Sequence, residues 1–323
     1  MTTNQTALKP KKIGWLRTKS KARTPNGFYW MWYLLPALGI YVVFMAYPLF
    51  DSVRLSVFRK ETVNRATTEH FVGFDNYIRL FTDPEISTRF WGAFFNTCQF
   101  FITHLLVQNV LGILFAALLT NQFMKGRKIY QAIIFIPTTF AILVTGYLWR
   151  LLLNPTWSEA FTNGVLGIGK LPPILGLEGP ALVADSLVSC WQWVGIPTII
   201  FVAAMRNINE DLLEAAYIEG ASGWQIFWNI KLPLVKPVVG LVAILTFVNN
   251  FNAFDIIYAM QTANGAPNYS TDLLGTFFYR QGIAGQHPVA IPDPGLGAAI
   301  ATVVFVLLAT VSVIVLRKTE TRD

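Results

Sequence analysis

The sequence is poor in charge and in the residues that build metal or disulfide sites. Charged side chains make up 13% of its 323 residues, whereas a soluble domain averages about 25%. The two cysteines, Cys98 and Cys190, each lie inside an apolar run, so they indicate neither a disulfide framework nor a paired metal site. The histidines His70, His104 and His287 are scattered and indicate no metal site. The shortage of charge points to a membrane protein.

The charges that are present are placed unevenly. The net charge is +7, and seven of the 25 basic residues lie within the first 23 positions, ahead of the first apolar run. A basic flank of this kind orients a membrane helix. We therefore interpret the positive charge as an orientation signal and not as a surface for nucleic acid.

Six apolar stretches are each long enough for a transmembrane helix, which needs about 20 residues. They are Phe28–Phe50, Phe90–Thr120, the segment between Lys128 and Arg150, the segment between Asp185 and Arg206, the segment that starts after Lys236 and runs past Asp255, and the segment between Asp293 and Arg317. The first is too long for the apolar region of a signal peptide, so we expect it to be retained. The sequence thus predicts an all-α membrane protein with six transmembrane helices.

The basic residues of the connections predict the orientation of these helices. The N-terminal tail, the connection between the second and third spans, and the C-terminal tail are all basic. We therefore predict a cytoplasmic tail over residues 1–27, a membrane domain over 28–317 and a second cytoplasmic tail over 318–323.

The connection between the fourth and fifth spans departs from this pattern, because four acids accompany three bases between Arg206 and Lys236. Asn209 is expected to cap a helix that Gly220 ends. Ser222 and Gln225 have the spacing of a capping box for a second helix, which we expect Pro233 to end. The pattern alone leaves two interpretations open: an amphipathic helix on lipid headgroups or a docking surface for a cytoplasmic partner.

Within this connection one stretch resembles the EAA loop of permease subunits of bacterial ATP-binding-cassette importers. The matching residues are Glu214, Ala215, Ala216, Gly220, Ile230, Leu232 and Pro233. Glu219 stands where the family more often has aspartate. The resemblance implies that segment 209–237 holds a coupling helix, which docks in a cleft of the ATPase subunit.

Weaker motifs resemble the carbohydrate-uptake branch of that family, of the maltose-permease type. They are Gly73–Tyr77, Phe95–Thr97, Trp193-x-Gly195-x-Pro197, Asn250–Asn252 and Thr271–Leu274. The chain departs from the enterobacterial maltose subunit by lacking its extra N-terminal helices and large extracellular domain.

The resemblance implies a type I importer permease fold in a bacterial cytoplasmic (inner) membrane, with both termini cytoplasmic. It implies a heterodimer with a second permease, two copies of an ATP-binding subunit and an extracellular solute-binding protein. The remaining expected contacts are the sugar substrate and membrane lipid.

The chain itself is not expected to be an enzyme or to hold a cofactor. Gly164–Lys170 fits a phosphate-binding loop, but Leu171 replaces the Ser or Thr that would meet magnesium. Pro172 and Pro173 disfavour the helix that such a loop needs. ATP and Mg are therefore expected on the partner ATPase.

Polar and aromatic residues of the fourth and fifth spans are the candidates for lining a sugar pathway. They are Trp191, Trp193, Gly195, Thr198, Thr246, Asn249 and Asn250. Thr246 and Asn250 are four residues apart and share a helix face. The alternative is that these side chains bond neighbouring helices to one another. The resemblance favours substrate lining for Trp193, Gly195, Thr246 and Asn250, whereas Trp191 depends on the pattern alone.

The function predicted is a permease subunit that moves a sugar by ATP-driven alternating access. Glycerol 3-phosphate or a related polyol phosphate is the alternative substrate, although the spans offer few basic residues for an anion. A self-contained secondary transporter predicts ionisable residues in the spans or internal repeats. A channel predicts a filter loop or a charged ring, for which the asparagines are weak candidates.

Overall fold

The structure is a computed structural model that describes most of the apolar sequence: residues 29–63, 66–121, 124–157, 172–285 and 292–320. The predicted N-terminal tail 1–27 and the glycine–lysine stretch 164–170 lie outside these residues. Two compact units divide the chain, residues 1–50 and residues 51–323.

The first helical segment has three parts. Helix α1 (Tyr29–Tyr41) continues through a π-helical turn (Val42–Ala46) into α2 (Tyr47–Leu55), and the first unit ends within α2. The apolar window Met31–Leu55 buries none of its residues, and Tyr33 is among the exposed side chains. A helix that is apolar all round is suited to lipid or to a packed neighbour. The first predicted span is confirmed as a helix and continues to Leu55.

A small β-hairpin follows, which the all-α prediction missed. Strands β1 (Phe58–Val63) and β2 (Ala66–Phe71) are antiparallel, with Phe58 opposite Phe71. The amide of Asn76 ties the hairpin to the next helix, because its Nδ2 donates to the carbonyls of Ser56 and Phe58 at 2.8 and 2.9 Å.

The second span is longer than predicted. After α3 (Asp75–Thr82), α4 (Pro84–Thr103) leads through a π-helical turn (His104–Gln108) into α5 (Asn109–Leu119). The start lies at Pro84 and not at Phe90 because the carboxylate of Asp83 caps the helix, accepting from the first backbone amides.

The third and fourth spans are bent pairs. Helix α6 (Arg127–Phe135) and a 3₁₀ turn (Ile136–Thr139) meet α7 (Ile142–Leu152) at 95°. Helix α8 (Glu178–Trp193) meets α9 (Gly195–Arg206) at 46°. Counting each pair as one span, the described chain holds six candidate spans.

The fourth span differs from the prediction at its outer end. A 3₁₀ turn (Ile174–Gly176) precedes α8, so Asp185 lies inside the helix and not at its boundary. Its side chain is fully buried, and Oδ1 accepts from Nε2 of Gln261 at 3.5 Å. The break between α8 and α9 falls beside Gly195, and Pro197 follows two residues later. Glycine and proline both weaken the interior of a helix.

The connection to the fifth span is helical throughout most of its length. Helix α10 (Glu210–Ile218) is followed by α11 (Gly223–Ile226), a π-helical turn (Phe227–Lys231) and α12 (Leu232–Phe251). The fifth span therefore ends at Phe251 and does not run past Asp255 as predicted. One cause is the amide of Asn252, which donates to the carbonyl of Val248 at 2.9 Å beside the last turn.

The remaining helices follow the fifth span and include the sixth. They are α13 (Asp255–Gln261), α14 (Leu274–Tyr279), a π-helical turn (Arg280–Ala284) and α15 (Pro294–Glu320). Asp255 lies in the first turn of α13, where a carboxylate favours a helix start.

Three apolar clusters of the described residues hold the second unit together. One joins α4, α12, α14 and α15 around Phe90, Phe251 and Phe277. A second joins α5, α9 and α12 around Leu119, Phe201 and Val242. The third joins α4, α8 and α13 around Phe100, Leu182 and Ile257. Close approach between α5 and α9 requires Gly112, since a Cβ there would lie 3.1 Å from the ring of Pro197.

Candidate coupling loop and translocation cavity

The connection between the fourth and fifth spans has the caps that the sequence predicts. Oδ1 of Asn209 accepts from the amide of Asp211 at 3.0 Å and begins α10. Gly220 has a φ of +81°, a left-handed conformation that favours glycine. Ser222 and Gln225 form the capping box of α11. The predicted order of helix, glycine corner and second helix is confirmed.

Pro233 does not end this second helix, which corrects the prediction. The chain passes from α11 through the π-helical turn directly into α12, with Pro233 among the first residues of α12. The amide of Leu232 bonds to the carbonyl of Phe227, five residues earlier. Because the α-helical ladder is already interrupted there, the proline removes no α-helical hydrogen bond.

The outer face of this loop is exposed and mixes acids with apolar side chains. Glu214 and Ala215 are exposed, and Ala216 is half-buried. Ile218 and Trp224 are 86% and 65% exposed. The other predicted coupling residues are exposed or half-buried: Gly220, Ile230, Leu232 and Pro233. Exposed apolar side chains on a short structured loop are typical of a docking surface.

The inner face of the loop is fixed to the membrane helices. Phe227 is buried in the same cluster as Leu119 and Phe201. Lys231 is 8% exposed, and its Nζ donates to Oγ1 of Thr120 at 3.3 Å, at the end of α5. A displacement of the loop would therefore act on the second and fourth spans as well as on the fifth.

A cavity of 530 Å³ lies between the second, fourth and fifth spans. The second span contributes His104 and Gln108 from its π-helical turn, α8 contributes Ser189, and α12 contributes Asn249 and Asn250. None of the described residues that line it is lysine or arginine. Its polar wall is therefore built largely from amides and hydroxyls, which suit an uncharged ligand with many hydrogen bonds.

Four of the seven residues predicted to line a pathway do line this cavity: Trp193, Thr246, Asn249 and Asn250. Thr246 is also a bridge between helices, because its hydroxyl exchanges hydrogen bonds with the amide of Asn109 at 3.0 and 3.2 Å. Asn250 differs from Thr246, since its Nδ2 is buried and has no hydrogen-bond partner among the described residues.

The other three residues predicted to line a pathway do not line this cavity: Trp191, Gly195 and Thr198. Trp191 packs edge-on against Trp149, with ring centroids 5.4 Å apart. Gly195 lies against the backbone of Phe135, where a Cβ would lie 3.1 Å from its Cα. The hydroxyl of Thr198 is buried and donates to the carbonyl of Val194 at 2.7 Å. In this chain these residues pack the bent spans.

The sequence matches a known family over two thirds of its length. Residues 108–321 match the family described as binding-protein-dependent transport system inner membrane component. This chain belongs to that family. It is accordingly a permease, a membrane subunit of the inner membrane that is not itself an enzyme.

Curated relatives match this permease almost from end to end. It is 31% identical to the trehalose/maltose transport system permease protein MalF of Thermococcus litoralis, over 94% of this chain and 96% of that one. It is 28% identical to the arabinooligosaccharides transport system permease protein AraP of Bacillus subtilis, over 96% of this chain and 97% of the other.

Solved structures confirm the predicted fold. A chain of a bacterial ABC transporter that imports the acidic polysaccharide alginate superposes with a TM-score of 0.71 at 20% identity, covering 91% of the permease and 96% of that chain. The alginate transporter bound to its pentasaccharide-loaded periplasmic protein gives a TM-score of 0.69 at 23% identity, covering 90% and 92%. The permease therefore has the type I importer fold.

The Thr271–Leu274 motif of the permease is structural. Asp272 and Arg280 form an ion pair with both side chains 1% exposed. Asp272 also accepts from the hydroxyl of Thr276 at 2.6 Å, and Arg280 donates to the carbonyl of Ala263 at 2.9 Å. The guanidinium lies 4.9 Å from the ring centroid of Tyr269. This network fixes the segment between α13 and α14 against the π-helical turn that follows α14.

Sequence reasoning missed several polar residues of the cavity wall, among them His104, Gln108 and Ser189. His104 was considered only as a metal ligand. The available signal was the spacing of His104 and Gln108, two polar residues four apart inside a long apolar stretch.

Proposed function

We propose that this permease forms, with a second and different permease, the pathway by which a neutral sugar or glycoside enters the cell. The observation that carries the proposal is the cavity, in which amides and hydroxyls lie beside the ring of Trp193. A sugar offers hydroxyls for such a wall and an apolar face for an aromatic ring. The names of the relatives, which refer to trehalose, maltose and arabinooligosaccharides, support the same substrate class.

An anionic substrate fits this cavity less well. The described lining residues include no cation, and Asp255 adds a carboxylate. A phosphate or a uronate would lose its hydration there without gaining an opposite charge. The cavity therefore favours a neutral sugar over glycerol 3-phosphate or a related polyol phosphate. The alginate transporters resemble this permease only in fold.

The energy for transport is proposed to come from two copies of an ATP-binding subunit, which hold ATP and Mg. An extracellular solute-binding protein delivers the sugar. The loop that includes Glu214 and Gly220 receives the ATPase and turns its closure into alternating access. The exposed acids of α10, Glu210, Asp211 and Glu214, argue against the lipid-headgroup interpretation, because helices that rest on membranes usually carry basic residues on their polar face.

Both termini are proposed to be cytoplasmic because both tails are basic. A cysteine at Thr319, in a variant without Cys98 and Cys190, should react with a membrane-impermeant thiol reagent only after the membrane is opened. Labelling of intact cells would contradict this orientation.

The function is tested by purifying the tagged permease, identifying its partners and reconstituting the complex in vesicles together with its solute-binding protein. We expect a second permease and an ATPase to copurify. Uptake of radiolabelled maltose, trehalose and arabinotriose is compared with uptake of glycerol 3-phosphate. Transport of a sugar that needs ATP and survives a proton uncoupler supports the proposal. A lone homo-oligomer, or uptake driven by an ion gradient, would support a secondary transporter and overturn it.

A further inference from the structure

Two polar groups in the cavity wall have no partner. Oε1 of Gln108 and Nδ2 of Asn250 are buried without a hydrogen bond among the described residues, and the two side chains are 7% and 6% exposed. Buried polar groups are nearly always hydrogen-bonded, because an unpaired one loses its water without compensation. Both side chains line the same cavity. One is an acceptor and the other a donor, so a ligand is the natural partner of both.

The π-helical turn of the second span directs Gln108 to this place. The turn covers His104–Gln108, and the amide of Asn109 bonds back to the carbonyl of His104, five residues earlier. The extra residue in the turn changes which side chains share a face. His104 and Gln108 both reach the cavity, while Asn109 bonds to Thr246 of the fifth span. Single π turns inside α-helices are frequent at functional sites.

The same turn is fixed by a hydrogen-bond chain. Nδ1 of His104 lies 2.8 Å from the carbonyl oxygen of Phe100, and Nε2 lies 2.9 Å from Oγ of Ser189. A carbonyl only accepts, so Nδ1 carries the proton, and in the neutral ring Nε2 accepts from the hydroxyl of Ser189. The second and fourth spans are thereby joined beside Gln108, and the amide is held at a defined position.

The helices that carry Gln108 and Asn250 contact one another beside the cavity. Asn109, next to Gln108, exchanges hydrogen bonds with Thr246, and Thr246 lies four residues, about 6 Å of helical rise, before Asn250. A hydroxyl both donates and accepts, so hydroxyls of one sugar ring can satisfy the two amides. A carboxylate or a fully ionised phosphate has no proton for Oε1 of Gln108, and an ammonium has no acceptor for Nδ2 of Asn250.

We propose that Gln108 is a substrate-binding residue that, together with Asn250, binds hydroxyl groups of the transported sugar and selects for them. The proposal rests on the function proposed above, because it assumes that a sugar enters this cavity. It assigns to the second span a direct role in specificity, alongside the fourth and fifth spans.

The test compares Gln108→Leu and Gln108→Glu with Gln99→Leu in the reconstituted complex. Gln99 is exposed on the same span and does not line the cavity. The probe is whichever of radiolabelled maltose, trehalose or arabinotriose the unmodified complex imports, together with its monodeoxy derivatives. For Gln108→Leu we expect the KM of uptake to rise roughly tenfold with little change in the maximal rate, as for the loss of one hydrogen bond. Gln108→Glu keeps an acceptor and should lose less, and Gln99→Leu should behave as the unmodified protein.

The deoxy derivatives separate binding from structure. In the unmodified complex, removing the hydroxyl that meets Gln108 should raise KM about as much as Gln108→Leu does, and the two changes together should cost no more than either alone. A variant that only loosens the protein would raise KM equally for every derivative. If no derivative shows this non-additive effect with either Gln108 variant, the assignment is wrong. If the unmodified complex shows no ATP-dependent uptake of any neutral sugar or glycoside in a panel that includes these three, the proposed function itself fails.

Discussion

The coupling loop and the cavity use polar residues in opposite ways. In the loop, polar side chains such as Asn209 and Ser222 bond to backbone within three residues, and acids such as Glu214 remain exposed. In the cavity, polar side chains come from three different spans, five of them are buried, and two of these five have an atom without a partner among the described residues. The loop is thus complete in itself and presents a surface. The cavity wall has two buried polar atoms without a partner among the described residues, which is expected of a site that binds a polar ligand.

The permease also offers a third arrangement for this comparison, a buried ion pair. Asp272 and Arg280 are both 1% exposed, and the two terminal nitrogens of Arg280 donate to the carboxylate of Asp272, while its Nε has no partner among the described residues. Asp272→Ala should leave the guanidinium buried without its partner and destabilise the protein by about 3–5 kcal/mol. Thermal unfolding of the solubilised permease measures the loss. The exposed pair of Arg54 with Asp51 is the control, and Asp51→Ala should cost no more than about 1 kcal/mol.

A double variant tests the cause of that loss. Asp272→Leu combined with Arg280→Met removes both charges, so it should recover much of the stability that Asp272→Ala loses. If Asp272→Ala unfolds at the same temperature as the unmodified permease, the pair does not hold the outer segment in place.

The next largest effect is expected in the loop, at Glu214. If this exposed carboxylate pairs with a cation of the ATPase, its removal should weaken the interface by about 2–5 kcal/mol. Glu214→Ala should therefore reduce the amount of copurified ATPase and the sugar-stimulated hydrolysis. Binding of sugar to the permease should be spared, because the cavity lies in another part of the chain. Glu210→Ala, in the first turn of the same helix, is the matched control. If the Glu214→Ala complex transports normally with the ATPase fully bound, Glu214 has no role in coupling.

The sequence predicts those features of the structure that depend on residues close together in the chain. The cap at Asn209, the corner at Gly220 and the box at Ser222 were predicted because each depends on residues no more than a few positions apart. The β-hairpin was missed because its strands are short and rich in charge, so they were not distinguished from a polar loop. The continuation of the helix through Pro233 depends on a preceding π turn, which apolar periodicity does not reveal.

Prediction from the sequence was less successful for the residues that line the cavity, because their placement depends on distant parts of the chain. Asn250 was predicted because it lies on a polar face that a regular helix defines. Gln108 was not predicted, because a π turn places it and because its neighbours belong to spans far away in sequence. Trp191 and Thr198 have suitable chemistry, yet the 46° bend between α8 and α9 helps direct them elsewhere. Residue type is readable from sequence, but the direction of a side chain in a bent or bulged helix is not.

Gly220 tests whether the corner of the loop depends on backbone conformation alone. A Cβ there would meet nothing within 4 Å, and the φ of +81° is the only obstacle to another residue. Gly220→Val should cost about 1–2 kcal/mol through the left-handed backbone and should misalign α10 relative to α11. Gly223→Val is a matched control, because its Cβ also meets nothing within 4 Å and its φ is not left-handed. If ATP hydrolysis and uptake are equally coupled in the two variants, the left-handed conformation at Gly220 is not needed for coupling.

The smallest effect on stability, and the sharpest contrast with Asp272, is expected at Asn250. Its Nδ2 has no partner to lose, so Asn250→Leu fills nearly the same volume and should leave the unfolding temperature almost unchanged. The KM for sugar should nevertheless rise by roughly three- to tenfold, because a hydrogen bond to the substrate is lost. Gln99→Leu is the control, because this amide is exposed on the second span and does not line the cavity. A fall in stability with unchanged KM would mean that Asn250 bonds helices together after all. An unpaired buried polar atom, such as Nδ2 of Asn250, would then not indicate a ligand-binding residue in this permease.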